Sequence, residues 1–208
     1  QWLDTVRASQ GEDGMTTHTS PNYPSYDAET GEVNISGMPF GITWNSAIVF
    51  IPYFLYEQYG DTSILNENMD AIYKYMENLE ANPLTYGAED AKTEEAALTS
   101  QTGFLCDHLS VVTTDGQMLG NAMYTWALNV VSQMASATGN TEKAEKYSAM
   151  YDAAKEAWNR IYIDAETGKS CSADGTIIHT QASYASPLSY GVVSDENKER
   201  FVENYVDT

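Results

Sequence analysis

The side chains that could do chemistry in this sequence lie just ahead of long apolar segments. Trp44 stands beside Asn45 and Ser46 at the start of such a segment. An aromatic plane next to amide and hydroxyl groups suits a sugar, whose apolar face stacks on the ring while its hydroxyls form hydrogen bonds. The alternative is a tryptophan that packs at the start of a helix. The full set of candidates is His18, Trp44, Asp107, His108, Asp115, His179 and Gln181.

Asp107 and His108 lie within the otherwise apolar stretch 104–109. Burying a carboxylate costs free energy unless the group has a partner, so an acid in this position indicates a role in binding. The alternative is an aspartate that caps a local turn. For His18 and His179, the simpler interpretation as polar loop residues is favoured.

Patterns typical of metal, phosphate or nucleophilic-triad chemistry are missing from the sequence. Its two cysteines, Cys106 and Cys171, are too few for a disulfide framework, and no Cys/His spacing suits zinc. We therefore expect two unpaired thiols, no metal and no cofactor.

The first strong helical signal is an uncharged run at 47–56. The surrounding segment, 42–59, is long and has polar ends, which favours a buried helix over a strand. Pro52 removes one helical hydrogen bond, so we expect a bend there. Gly60 is typical of the position after a helix C-terminus. The next predicted helix, 63–82, is amphipathic, with its apolar side chains at steps of three or four: Leu65, Met69, Ile72, Met76 and Leu79.

The same pairing of an apolar helix with a one-faced helix occurs twice more. The second pair is predicted at 117–138 and 141–162, and the third, shorter pair at 180–190 and 195–207. The turn glycines Gly60, Gly139 and Gly191 are 79 and 52 residues apart (139 − 60 and 191 − 139). This spacing excludes the fixed period of a repeat array.

The connections between pairs are long, whereas a simple bundle has short loops at both ends. In antiparallel pairs all tight turns share one end, so the long loops share the other, and long loops are usually functional. We predict an all-α fold that is part of an (α/α)6 toroid of antiparallel helix hairpins, with about three of the six hairpins present and a pocket at the loop end. The whole chain, 1–208, is predicted to be one partial barrel domain with a leading segment and loop at 1–41, hairpins at 42–82, 117–162 and 180–208, and loops at 83–116 and 163–179.

The net charge of the chain limits the classes of partner that it can bind. Ten Lys and Arg against thirty Asp and Glu give a formal charge of −20. A field of this sign repels phosphate backbones and anionic lipid surfaces, so we expect neither a nucleic-acid nor a membrane partner. No run approaches the ~18 apolar residues of a membrane span.

Several runs resemble the catalytic domain of bacterial α-L-rhamnosidases, and together they extend over nearly the whole chain. The main run is Trp44 to Leu65, and the shorter pieces are Asp13-Gly14, Asp107 before Thr114-Asp115, Thr180-Gln181, Tyr184-Ala185 and Pro187-Leu188. The resemblance implies an (α/α)6 barrel and inverting hydrolysis of terminal α-L-rhamnosides by a carboxylic acid and a carboxylate base. It also implies that both catalytic glutamates lie outside this chain. We therefore expect no catalytic residue here, and sugar-binding roles for Trp44, Asp107 and His108.

Two positions depart from the family pattern. The family tends to read Trp-Gly-Asp-Ala where this chain has Trp44-Asn45-Ser46-Ala47, and Gly-Asp-Trp where it has Cys106-Asp107-His108. The second change replaces an aromatic sugar platform with an imidazole.

The expected partners are a rhamnosylated carbohydrate and the remainder of the chain's own catalytic domain, and two alternatives remain open. One is another (α/α)6 carbohydrate-active enzyme, either a different glycosidase or a polysaccharide lyase. A lyase acting on uronates would need basic residues at the loop end, where few are present. The other is a non-catalytic helical binding scaffold, which would expose apolar patches along outer helices whose outward faces are charged here.

Overall fold

The computed structural model describes residues 1–21, 25–26, 33–34, 41–84, 97–100 and 107–208. The predicted all-α class is confirmed in these ranges, because helices dominate and the two strands are two residues long. In chain order the elements are α1 (Trp2–Ala8), β1 (Ser25–Tyr26), β2 (Val33–Asn34), α2 (Ile42–Asn45), α3 (Ala47–Tyr59), α4 (Ser63–Glu80), α5 (Gly116–Ala137), α6 (Thr141–Tyr162), α7 (Gln181–Ser189) and α8 (Asp195–Val206).

Six of these helices form three antiparallel hairpins, α3–α4, α5–α6 and α7–α8, as the sequence predicts. Gly60 ends α3 in a left-handed conformation (φ +68°), and its N–H donates to the Tyr56 carbonyl at 2.7 Å. A residue with a Cβ would be strained in that conformation, which is why glycine suits the turn. Asn140 caps α6 through its side chain, which accepts from the Lys143 N–H at 3.1 Å.

The hairpins stand side by side in two layers. In the inner layer, Trp126 of α5 stacks on Phe50 of α3 and on Tyr190 at the end of α7, with ring centroids 4.1 and 4.6 Å apart. In the outer layer, ion pairs join α4 to α6: Lys143 to Glu77 at 3.1 Å and Lys146 to Glu80 at 2.7 Å.

The order of these contacts gives the helix directions. Phe50 meets Trp126, and three residues further on the Tyr53 hydroxyl lies 3.4 Å from Oε1 of Gln133. Residue numbers therefore rise together along α3 and α5, which means that the two inner helices are parallel. The residue numbers of the ion pairs that join α4 to α6 also increase together, so these two outer helices are parallel as well. The contacts of α7 rise together with those of α5 as well, from Thr114–Thr180 to Trp126–Tyr190, so all three inner helices begin at the same end of the layers.

The core lies between the two layers and is centred on α5. Trp158, Tyr147 and Tyr162 of α6 are fully buried against it. The indole N–H of Trp158 donates to the Met118 carbonyl at 3.0 Å, and the Tyr162 hydroxyl accepts from the Asn121 amide at 3.0 Å. These bonds satisfy polar atoms that would otherwise be costly to bury.

The prediction of one continuous helix over 42–59 is wrong, because the helix is interrupted at Ser46. The Asn45 carbonyl accepts a hydrogen bond from the buried Thr16 hydroxyl, whereas the Val49 N–H donates to the Ser46 carbonyl at 2.9 Å. A side chain from the leading segment thus takes the acceptor that the next helical turn would have used. That segment itself begins with α1, which the sequence analysis treated only as part of the segment and loop at 1–41.

Two loop regions are fixed by short backbone pairings. In the connection between α4 and α5, the Leu84 N–H donates to the Leu98 carbonyl at 2.7 Å. After α6, antiparallel bridges join Ile163 to Ser170 and Cys171 to Ile177. Cys171 is a buried free thiol, whereas Cys106 lies outside the described residues. No helix in the described ranges is long and apolar enough to cross a bilayer.

Candidate functional site

The N-termini of the three inner helices mark the end of the layers at which the candidate residues gather. Trp44 lies on α2, which leads into α3 and packs against α5. Asp115 caps α5 by accepting from the Met118 N–H at 2.7 Å, and Thr180 caps α7 by accepting from the Ser183 N–H at 3.2 Å. The described residues that directly precede α5 and α7, Thr114 and Thr180 among them, lie at this end.

Asp107 is held by a neighbour from its own loop. Its Oδ2 accepts a hydrogen bond of 2.7 Å from the Thr114 hydroxyl. The same hydroxyl oxygen lies 2.7 Å from that of Thr180, at the start of α7. Thr114 is only 2% exposed. The loop that carries Asp107 is therefore tied to the next hairpin, 66 residues further along the chain.

Trp44 is 42% exposed, so much of its ring faces outward from the helix layers. The neighbouring oxygens, Oγ1 of Thr43 and Oδ1 of Asn45, are buried without a hydrogen-bond partner in the described part of the chain. The exposed ring is therefore the part of this segment that a sugar could contact, whereas the two oxygens face the protein interior.

His108 is exposed and begins an apolar turn beside Asp107. Leu109 follows it with a φ of +65°, which is uncommon for a residue with a side chain, and is 88% exposed. Val111 and Val112 are 103% and 64% exposed. The turn thus presents an imidazole and three aliphatic side chains next to a carboxylate.

A pocket of about 600 Å³ lies between this loop and the bridged segment that precedes α7. Thr114 and Thr180 line it, together with Asp174 and His179. His179 Nδ1 is 2.9 Å from the buried Tyr184 hydroxyl, which also accepts from the Ser170 N–H at 3.4 Å. The Tyr184 hydroxyl therefore links His179 to the bridge that follows α6.

The electrostatics of this end are anionic. A hydrogen bond from the Ser172 hydroxyl, followed by one from the Thr176 N–H, lowers the pKa of Asp174 to about 2. Asp174 therefore carries its full charge at neutral pH, beside the caps and carboxylates already described. A neutral ligand rich in hydroxyl groups suits this end better than an anion does.

The remaining candidates occupy less central positions. His18 follows Thr16 in the segment that packs on α2, and Gln181 is the exposed first residue of α7. Asp115 and His179 both have local structural partners. The structure thus brings Trp44, Asp107 and His108 to one end of the helix layers.

Two residues of this region, Thr114 and Thr180, were not singled out as functional from the sequence. For Thr180 a signal existed, because Thr180-x-x-Ser183 forms a reciprocal capping box at the start of α7. For Thr114 the sequence offered only its place in the Thr114-Asp115 piece of the family resemblance, since its contact with Thr180 depends on how two hairpins pack.

Comparison with known proteins agrees with this architecture. The family model for the bacterial alpha-L-rhamnosidase 6 hairpin glycosidase domain matches residues 1–208. An alpha-L-rhamnosidase of Formosa agariphila is 24% identical over 206 residues, which cover 95% of this chain and 19% of that protein. The Streptomyces avermitilis alpha-L-rhamnosidase complexed with L-rhamnose superposes with a TM-score of 0.75 at 22% identity, over 99% of this chain and 17% of that one. The alpha-L-rhamnosidase from Dictyoglumus thermophilum gives a TM-score of 0.76 at 22% identity, over 99% of this chain and 21% of that one.

The helix hairpins define this chain as part of a six-hairpin glycosidase barrel. It belongs to the bacterial alpha-L-rhamnosidase six-hairpin glycosidase domain family. The chain spans less than a fifth of the length of the curated relatives that it matches, 19% and 16% respectively.

Proposed function

We propose that this chain supplies sugar-binding residues to the active site of a glycoside hydrolase that removes terminal α-L-rhamnosyl groups. The observation that carries the proposal is the placement of Asp107 and Trp44 at one end of the helix layers, in a chain that matches the family throughout. The expected partners are a rhamnosylated carbohydrate and the other segments of the same catalytic domain.

The roles assigned to the residues follow from their chemistry. The Trp44 ring stacks on the apolar face of the sugar, and Asp107 accepts hydrogen bonds from its hydroxyls. His108 lies beside the same carboxylate and adds a polar side chain to the edge of the proposed sugar site. The acid that protonates the leaving oxygen and the base that activates water come from segments outside this chain, and they act by inversion.

Kinetics of the full-length protein with 4-nitrophenyl α-L-rhamnopyranoside test the role of Asp107. Asp107→Asn keeps the size of the side chain but removes the charge from a hydrogen bond worth about 1.5–3 kcal/mol. We expect kcat/KM to fall by roughly 10- to 150-fold without reaching zero. Asp152→Asn, on an exposed face of α6, is the matched control and should retain full activity. Full activity in Asp107→Asn would contradict the proposal.

The stereochemistry and the sugar specificity are tested separately. Proton NMR during the first minutes of hydrolysis should show the inverted anomer of rhamnose as the first product, and initial release of the retained anomer would reject the mechanism. A panel of 4-nitrophenyl glycosides addresses the alternative glycosidase activity, which the imidazole of His108 favours because the family resemblance places a tryptophan there. Higher kcat/KM on a sugar other than rhamnose would support that alternative.

A further inference from the structure

We propose that Thr114 and Thr180 are positioning residues that hold the Asp107 carboxylate in its binding orientation through a one-directional chain of hydrogen bonds. This inference rests on the proposed role of Asp107 in sugar binding. It assigns a function to two threonines that neither touch the sugar in our proposal nor belong to the acid and base.

The direction of the chain follows from the number of hydrogens available. An ionised carboxylate only accepts hydrogen bonds, so the single hydroxyl hydrogen of Thr114 goes to Oδ2 of Asp107. Across the 2.7 Å contact between the two threonine oxygens, Thr180 must then be the donor. The Thr180 oxygen in turn accepts from the Ser183 N–H. The chain therefore runs from the N-terminus of α7 to the carboxylate, with each hydroxyl both accepting and donating.

Such a chain strengthens the bond at its end, because each donor is polarised by the bond that it accepts. It begins at a backbone N–H in the first turn of a nine-residue helix, where the helix dipole is positive. The near-complete burial of Thr114 excludes water that could compete for the same bonds. Asp107 is thereby held by two hairpins at once.

The Thr180 end of this hydrogen-bond chain is itself fixed. The Ser183 hydroxyl donates to the Thr180 carbonyl at 2.8 Å and lies 2.7 Å from the buried Ser170 hydroxyl. Ser170 belongs to the bridge that follows α6. The Thr180 side chain thus has little freedom to turn away from Thr114.

Among the described residues, the Asp107 carboxylate is held through one oxygen only. In the part of the chain that the structure describes, Oδ2 of Asp107 accepts from Thr114 while Oδ1 accepts no hydrogen bond. An anchored carboxylate with a free oxygen is suited to a neutral donor such as a sugar hydroxyl. Because anchoring is achieved before the ligand arrives, less conformational freedom is lost on binding.

The test is a double-mutant cycle in the full-length protein with 4-nitrophenyl α-L-rhamnopyranoside. Thr114→Val keeps the shape of the side chain but removes its hydroxyl, and should lower kcat/KM roughly tenfold because the carboxylate is misplaced. Thr114→Ser restores the hydroxyl and should recover activity to within about threefold of wild type. In an Asp107→Ala background, Thr114→Val should change kcat/KM by less than about twofold, because a residue that acts only through Asp107 has nothing left to position.

Thr180→Val and Thr180→Ser form a second series. Thr180→Val should lower kcat/KM as Thr114→Val does, and Thr180→Ser should recover it. If Thr180→Val fails to fold because α7 loses its cap, the Thr114 series decides, since Thr114 caps no helix. Additive effects of Thr114→Val and Asp107→Ala would overturn the inference. If Asp107→Ala itself leaves kcat/KM unchanged, the proposed function of Asp107 fails instead.

A readout that does not depend on activity completes the test. A crystal structure of Thr114→Val should show the Asp107 carboxylate turned away from the position that it has in the wild-type crystal structure. A crystal structure of Thr114→Ser should show the carboxylate back in that position. An unmoved carboxylate in Thr114→Val would overturn the inference even if the protein has no activity on the rhamnoside.

Discussion

Replacing Asn159 with leucine tests how the third hairpin is attached to the second. Asn159 lies on α6 and is 8% exposed. Its amide nitrogen donates to the Val192 carbonyl at 2.9 Å, and its amide oxygen accepts from the Ser194 N–H at 2.9 Å and from the Asn197 amide at 3.2 Å. One side chain thus satisfies two backbone groups of the turn between α7 and α8.

The expected loss of stability follows from what Asn159→Leu leaves unpaired. Leucine has a similar volume but no polar atom, so the buried Val192 carbonyl and the Ser194 N–H lose their partner. Each unsatisfied group costs about 1–3 kcal/mol when water cannot reach it. The adjoining pocket, which Ser194 and Asn197 line, admits water to part of the site and reduces that cost. We expect a loss of about 3 kcal/mol in the free energy of unfolding.

Thermal and urea denaturation of the 208-residue chain, followed by circular dichroism, measure this loss. A loss of that size lowers Tm by roughly 6–12 °C in a chain of this length. Asn204→Leu is the matched control. The Asn159 amide donates to the Lys155 carbonyl at 2.8 Å as well as to Val192, and the Asn204 amide likewise donates to two carbonyls, Thr167 at 3.1 Å and Arg200 at 2.9 Å, but in an exposed setting. For Asn204→Leu we expect the free energy of unfolding to fall by less than about 1 kcal/mol, since water replaces the amide. Equal losses in the two variants would refute the argument from burial.

Two further predictions concern ionisable groups. Ser172→Ala should raise the pKa of Asp174 from about 2 toward the ordinary value near 3.9, as measured by NMR titration. Because the folded pKa is depressed, this carboxylate stabilises the fold above about pH 4 and loses that effect as the pH falls toward 2; an unchanged titration in Ser172→Ala would mean that the hydroxyl has no part in it. Burial raises the pKa of the Cys171 thiol to about 11, so iodoacetamide at pH 8 should label Cys171 far faster in urea than in the native chain. Peptide mapping separates Cys171 from Cys106, and fast native labelling of Cys171 would contradict the prediction.

The hairpins could be predicted because their signals are local. The apolar faces of α4 and α6 repeat at helical spacing, and Gly60 and Gly139 mark the tight turns. The interruption at Ser46 could not be predicted, because it depends on the hydroxyl of Thr16, a residue about thirty positions earlier. For α1, seven residues long with only Leu3 and Val6 buried, the apolar pattern is too short to be distinguished from a loop.

The candidate site was accessible from the sequence only in part. Asp107 stood out because a carboxylate among apolar residues requires a partner. The identity of that partner, Thr114, and the link onward to Thr180 depend on the packing of two hairpins. Sequence spacing indicates which residues share a helix face, but not which loop of one hairpin meets the next.

The geometry of the site is therefore a property of the helix layers more than of its loops. The Trp126 ring, stacked between Phe50 and Tyr190, fixes α5 relative to both neighbouring inner helices. Stacked aromatic pairs contribute about 0.5–1.5 kcal/mol each beyond their buried area. With the inner helices fixed, their N-termini are fixed, and so are the caps and hydroxyls that precede them. Asp107 lies on a long loop, yet its carboxylate is held through the start of α7. Under the proposed function, a substitution in the aromatic stack should accordingly alter sugar binding even though the substituted residue does not touch the sugar.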